Sequence, residues 1–333
     1  MSATRPRTRT DRRRGVLIAG IAVGAVLLIV AVVAVVIAVL PKPAAAGPAP
    51  GTTLLVAADT AAAAASDSGS AAAREAAAYL AAQPTAVWLT PEEFGVGEVG
   101  PAVTALADEA RQQSAILTLV VYGLPERDCG QYSAGGLPPA DYPVWTTEIG
   151  EALRAASDVH AIVVLEPDSL ALAPECGNVD ERTAQLRAAI EDLQADGVWV
   201  YLDAGHSNWL PVDQMADLLR QAGVQDARGF ATNVSNYYDS DAEIDYAHRL
   251  ADALGGSHAV IDTSRNGAGS DGQWCNPPKR LVGDVGGTFG DDVVDVNLWI
   301  KPPGESDGEC NGGPAAGQWW PQSAIELTRA SLE

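Results

Sequence analysis

Ala161-Ile162-Val163-Val164-Leu165-Glu166-Pro167-Asp168 is the stretch whose reading decides the fold. Its first five residues are apolar without a break, and three of them are β-branched. The run is too short for a helix and too uniformly apolar for a strand with one wet face. It therefore predicts a strand buried on both sides. It then stops in two carboxylates separated by a proline. Val198-Trp199-Val200-Tyr201-Leu202, followed by Asp203-Ala204-Gly205-His206, repeats the plan downstream. Residues 180–195, between the two, carry helical spacing. Strand, helix and strand in that order imply parallel neighbours joined by a crossover helix.

Five more apolar runs extend the pattern in both directions: Ala86–Leu89, Ala115–Tyr122, Gly229–Asn233, Ala259–Ile261 and Val294–Ile300. Helical spacing recurs near 71–82, 101–113, 144–156, 212–222, 241–254 and 321–331. This is an α/β chain with a parallel sheet covered by helices, and the number of units favours a closed or nearly closed TIM-like barrel over an open sheet. Polar residues cluster where the strands end. Tyr122 leads to Arg127-Asp128-Cys129, and Asn233 and Asn236 follow the fifth run. Asp262-Thr263-Ser264-Arg265-Asn266 follow the sixth, and Lys301 to Asp307 follow the last. Any one such residue could simply cap a helix. Six successive strands ending alike predict a shared site on the C-terminal rim.

Charge separates the chain into two parts. The 333 residues carry a net −22, but residues 1–42 hold seven Lys/Arg against one acid, leaving −28 for residues 43–333. An acidic body of that size repels phosphate backbones, which argues against a nucleic-acid partner. After the arginines, Gly15–Leu40 is an uncharged apolar run of 26 residues. At ~1.5 Å per residue it reaches ~39 Å, enough to span a bilayer core of ~30 Å. It is longer than the apolar part of a usual cleaved signal. The expectation is a basic cytoplasmic tail (1–14), a single-pass signal anchor (15–40), an extracellular Pro/Ala/Gly/Ser-rich tether (41–72), whose residues 57–72 read as linker or a first weak helix, and one domain (73–333). Ala44-Ala45-Ala46 leaves cleavage and secretion open. The membrane is thus an expected partner. In an exported chain Cys129, Cys176, Cys275 and Cys310 suggest two disulfides, with three pairings possible.

The rim residues narrow the chemistry. There is no GxSxG elbow, no glycine-rich phosphate loop and no zinc-type Cys/His spacing, so neither metal nor cofactor is expected. Several carboxylates accompany tryptophans: the chain has eight Trp against three Phe, and Trp209, Trp274 and Trp299 lie in or beside the rim motifs. Indoles stack on pyranose faces, although each could equally be a core residue. Paired carboxylates at different strand ends suit glycoside hydrolysis, which needs a protonated acid for the leaving oxygen and a base for water.

Tyr122-Gly-Leu-Pro-Glu-Arg-Asp-Cys129, Leu165-Glu-Pro-Asp-Ser-Leu170, Leu202-Asp-Ala-Gly-His206, Gly229-Phe-Ala-Thr-Asn-Val-Ser-Asn236, Ile261-Asp-Thr-Ser-Arg-Asn-Gly267, Trp274-Cys-Asn276 and Lys301-Pro-Pro-Gly-Glu-Ser-Asp-Gly308 together resemble glycoside hydrolase family 6, the cellulases. The resemblance spans about residues 84–330. It implies a distorted seven-stranded parallel (β/α) barrel and a β-1,4-glucan substrate. It makes Asp168 the general acid and Asp128 the neighbour that raises its pKa. Asp307 becomes the candidate base, with a chain of water as the other carrier, and Tyr122 the residue that crowds the reacting sugar. Trp88, Asp203, His206, Trp209, Asn233, Trp274, Trp299, Lys301 and Glu305 would bind or orient glucosyl units, while Asp262 and Arg265 would be scaffold. The implied disulfides are Cys129–Cys176 and Cys275–Cys310.

The rim loops after Cys129 and between Cys275 and Cys310 are short. They leave little chain to roof a tunnel, so an open cleft and endo-cleavage are expected; the resemblance implies an inverting reaction, and a monomer is expected. Ser207-Asn208-Trp209-Leu210-Pro211 departs from the family's fuller Gly-Trp pattern. With no recognisable cellulose-binding module, soluble or amorphous glucan is the expected substrate class. The alternatives are an exo-acting cellobiohydrolase of the same family and a non-catalytic surface glucan-binding protein.

Overall fold

The computed structural model describes residues 47–49, 51–130, 135–287 and 291–333. The expected cytoplasmic tail, signal anchor and start of the tether lie outside the described residues. Among the described residues no helix is long and apolar enough to cross a membrane.

Each of the seven apolar runs is a strand: β1 Val87–Leu89, β2 Leu117–Val121, β3 Ala161–Leu165, β4 Val198–Asp203, β5 Gly229–Thr232, β6 His258–Asp262 and β7 Val294–Leu298. They form one parallel sheet in chain order. Between β7 and β1 the barrel joins without a ladder. There Ala86 N–H donates to Trp299 O at 2.8 Å, and the Trp88 indole donates to Ile300 O at 2.8 Å. Alternate side chains point to opposite sides of the sheet. Val120, Ile162, Val164, Tyr201, Val260, Val296 and Leu298 share the interior cluster. Leu119, Val121, Val163, Leu165, Leu202 and Ile261 face the helices. Both faces are dry, which is why the strands read as unbroken apolar runs.

The covering helices are α1 Ala61–Ala65, α2 Ala71–Ala81, α3 Val99–Gln113, α4 Tyr142–Ala155, α5 Ser169–Cys176, α6 Val179–Leu193, α7 Val212–Gln221, α8 Ser240–Leu254 and α9 Pro321–Thr328. The short α5 lacks a recognisable signal in the sequence. At eight residues it is below the length that holds a helix alone, and its end is tied by Cys176 to Cys129.

Two expectations are corrected here. The tether does not run to residue 72. Leu54 pairs with Ile116 just below β2, Leu54, Leu55 and Ala57 are buried, and Thr60 and Ser70 cap α1 and α2 through Ala63 N–H and Ala73 N–H. Two leucines are too few to show strand periodicity, and the alanines that follow resemble linker composition. Nor is Trp299 a rim residue. It is 1% exposed, packs with Ala76, Leu80 and Ala324, and donates its indole N–H to Asp284 O. Leu298 and Ile300 point into the barrel, so the residue between them must point outward to α2 and α9. Replacing Trp299 with Ala is expected to lower unfolding free energy by about 3–5 kcal/mol, measured by urea denaturation; a loss below 1 kcal/mol would show that the indole is not core.

Candidate active site

Four carboxylates lie fully buried beneath the rim: Glu166, Asp203, Glu243 and Asp262. Each is spent on backbone N–H groups of the loops around it. Glu166 accepts from Gly123 and Leu124 in the loop after β2. Asp203 accepts from Asp168 at 2.9 Å in the loop after β3 and from Gly205 at 3.1 Å in its own. Glu243, on α8, accepts from Ser207 at 2.9 Å. Asp262 takes Ser235 and Ser264 together with Ile300 and Lys301, tying the loops after β5, β6 and β7. The scaffold role expected of Asp262 is what the structure gives it.

Above these clamps lies a cleft of about 930 Å³ lined by Tyr122, Asp128, Asp168 and Asp307, with Trp88, His206, Trp209, Trp274, Lys301 and Glu305 around them. Asp168 sits at the N-terminus of α5 with a left-handed backbone, φ 67°, a conformation that Asp tolerates better than most residues. Among the described residues no hydrogen-bond donor reaches its carboxyl group. Burial, then the charges of Asp203, Asp128 and Asp307, push its pKa well above the usual carboxylate range, against the pull of Lys301. Tyr122 donates its hydroxyl to Asp128 Oδ2 at 3.0 Å. Its ring meets Trp88 edge-on at 5.3 Å, while the Arg127 guanidinium lies 4.5 Å from its centroid. Asp128 and Cys129 both have positive φ, and the Cys129–Cys176 disulfide pins that turn to α5.

Asp307 is held differently. Arg265 Nη1 meets its Oδ1 at 2.8 Å, the Tyr237 hydroxyl donates to Oδ2 at 3.1 Å, and Asn276 N–H donates to Oδ2 at 3.0 Å. Asn276 Oδ1 in turn accepts from Asp307 N–H at 2.8 Å. Arg265 is thus more than loop scaffold: it is the counter-charge of Asp307, with Tyr237 beneath it at 4.5 Å. The Cys275–Cys310 disulfide closes the same loop pair. The two disulfides are those that the resemblance implied.

A site with one donor-free acid, one ion-paired carboxylate and indoles along a cleft suits sugar cleavage. The model of glycosyl hydrolases family 6 matches residues 52–331. This chain belongs to that family. It is 43% identical to endoglucanase A of Cellulomonas fimi over 248 residues, covering 72% of this chain and 54% of the relative. To endoglucanase 1 of Streptomyces halstedii it is 39% identical, covering 75% and 79%. The chain spans about half the length of the C. fimi enzyme and of endoglucanase A from Thermobispora bispora. Among solved structures, the endoglucanase Cel6 of Mycobacterium tuberculosis superposes with a TM-score of 0.78 at 37% identity, covering 88% of this chain and all of that one.

Within this family 6 fold, two further sequence expectations move out of the cleft. Asp203 does not line it but anchors Asp168 from below. Asn233 is wholly buried, donating to Tyr238 O and Asp262 O and accepting from Tyr238 N–H. It braces the turn that presents Asn236 and Tyr238 to the cleft. Asn236 was marked by its strand-end motif, whereas Tyr238, Asp59, Gln273 and Trp319 line the cleft without having been singled out. Tyr237 and Tyr238 follow the Asn233–Asn236 motif directly and could have been included with it, whereas nothing in the alanine-rich stretch near Asp59 marks a wall. Burial lowers His206 to about 4, so it is neutral above that pH. Its Nδ1 accepts Asn208 N–H, which leaves the ring proton on Nε2. Of the described residues, His248, Asp291 and Asp292 bring ligand-type atoms together, but at the opposite end of the sheet.

The clamps carry a pH signature. Burial raises Glu166 and Asp203 to about 7 each, against roughly 4 in an unfolded chain. Their protonated forms therefore favour the fold below pH ~4, and that contribution is lost as pH rises through about 7. Calorimetry should find a higher melting temperature at pH 5 than at pH 8, with the difference reduced in Glu166→Gln. An equal or larger difference in the variant would contradict this.

Proposed function

We propose that this chain is an inverting endo-β-1,4-glucanase acting on soluble or amorphous glucan. The observation that carries the reading is the contrast among the cleft carboxylates. Asp307 is neutralised by Arg265, and Asp128 accepts from Tyr122, whereas Asp168 lacks any donor to its anion among the described residues and keeps its proton. Asp168 gives that proton to the glycosidic oxygen as the C1–O bond breaks. Water adds to C1 from the opposite face, which inverts the anomeric centre. Accepting the water's proton would cost Asp307 its pairing with Arg265, so Asp128, reached through water, is the better receiver. Trp88, Trp209 and Trp274 supply flat faces for sugars, and Lys301 and Glu305 supply hydrogen-bonding groups beside them.

Short loops around both disulfides and the names of the related endoglucanases support endo action. A cellobiohydrolase of Podospora anserina is also related, at 35% identity, and remains the alternative mode. The run Gly15–Leu40 and the two disulfides support export to the cell surface with a membrane anchor, or secretion if the segment is cleaved.

Carboxymethylcellulose should lose viscosity faster than reducing ends appear, and proton NMR of fresh cellohexaose products should show the α-anomer. Asp168→Asn is expected to lower kcat by about 10²–10⁴-fold. A β-anomeric product, or full activity in that variant, defeats the mechanism. Asp128→Asn removes a negative neighbour and lowers the pKa of Asp168, so the alkaline limb of the kcat profile should move to lower pH; a shift upward would contradict the pairing.

A further inference from the structure

Glu243 is the one clamp carried by a helix instead of a strand end, and no motif points to it. It lies in the first turn of α8, fully buried, with its Oε1 accepting from Ser207 N–H at 2.9 Å. A helix N-terminus favours a negative charge there, but a buried carboxylate still costs stability unless it meets donors, and here the Ser207 and Thr232 hydroxyls stand beside the Ser207 N–H. Ser207 is a loop residue flanked by cleft residues: His206 on one side, Asn208 and Trp209 on the other.

Trp209 and Leu210 seat the far end of that wall on the hydrophobic core. Gly205 turns with φ +65°, where an added Cβ would lie 3.0 Å from the Trp209 ring. Among the described residues the backbone from Gly205 onward is hydrogen-bonded from below at Gly205, whose N–H donates to Asp203 and whose carbonyl accepts from Asn233 N–H at 2.7 Å, and at Ser207, whose N–H donates to Glu243. The rest is the wall holding itself: Asn208 N–H to His206 Nδ1, Trp209 N–H to His206 O, and the Asn208 amide to the Tyr238 hydroxyl. His206 stacks on Tyr238 at 4.4 Å and lies 5.3 Å from Trp209. A change in the Ser207 backbone therefore moves an imidazole, an amide and an indole together.

We infer that Glu243 is the positioning residue for the His206–Asn208–Trp209 wall and sets how tightly that part of the cleft holds a glucan chain. The inference rests on the glucanase reading for its ligand. Asp128 and Asp307 sit on other loops, and Asp168 meets this one only through the Asp203 oxygen it shares with Gly205, so the larger effect of Glu243 falls on binding and the smaller on the bond-breaking step.

Michaelis kinetics on cellohexaose test it. Glu243→Leu, of similar size but without an acceptor, should raise KM about tenfold with kcat changed less than about threefold. Glu243→Gln, which keeps an acceptor oxygen for Ser207, should rescue most of that loss. A purely structural Glu243 would lower the melting temperature of Glu243→Leu and leave KM as in the wild type, which overturns the inference. Equal KM values for the Gln and Leu variants overturn it as well. If Glu243→Leu does not fold, Glu243→Asp takes its place, with an intermediate rise in KM expected and no rise counting against. A wild-type chain without turnover defeats the glucanase reading alone. The wall is then read by the calorimetric Kd for cellohexaose, again expected to rise about tenfold in Glu243→Leu.

Discussion

Buried carboxylate to backbone N–H is the interaction on which the rim depends. A parallel barrel delivers strand ends to one face but does nothing to order the loops that leave them. Here Glu166, Asp203, Glu243 and Asp262 take up nine N–H groups from those loops. A charged acceptor makes a stronger hydrogen bond than a carbonyl, and burial strengthens it further. The same burial makes losing a donor expensive, so each clamp enforces one loop geometry. Asp262 shows the economy best, since one side chain holds segments from three loops.

The clamps also shape the chemistry. Asp203 fixes the Asp168 backbone in its left-handed conformation through the Asp168 N–H. Once Asp203 ionises, near pH 7, its charge is also the second-largest influence on Asp168, after burial, in raising its pKa. One contact thus aims the acid and helps keep it protonated. What distinguishes Asp168 from its neighbours is not residue type but the supply of donors: Asp203 has two N–H groups, Asp307 an arginine, a tyrosine and an N–H, and Asp128 a tyrosine.

The strands were legible because burial on both faces leaves a simple mark, an apolar run stopping in a polar residue. Seven such runs foretold seven strands, and the motifs at their ends foretold Asp128, Asp168, Asp307, Tyr122 and most of the cleft tryptophans. What proximity to the rim could not tell is which way a side chain points. Asp203 and Asn233 stand in the right motifs yet serve the layer below, because a polar residue at a strand end meets either substrate or backbone, and sequence does not choose between them. Trp299 was within reach. Its neighbours Leu298 and Ile300 continue the interior parity of β7, which already turns the residue between them outward. Leu54–Leu55 and α5 left almost no trace, since both owe their conformation to distant partners, Ile116 in one case and Cys129 in the other.

Asp307 shows the same logic from the opposite side. An arginine 3% exposed and a carboxylate 6% exposed are a costly pair to bury, and such pairs are weak sources of stability. Their value lies in what a buried ion pair fixes. With Arg265 lying over Tyr237, and Tyr237 and Asn276 both donating to the carboxylate, Asp307 cannot turn without breaking three contacts at once. Three donors converging on one buried carboxylate leave it a single orientation, which sets Asp307 apart from Asp168, whose carboxyl group no donor reaches among the described residues.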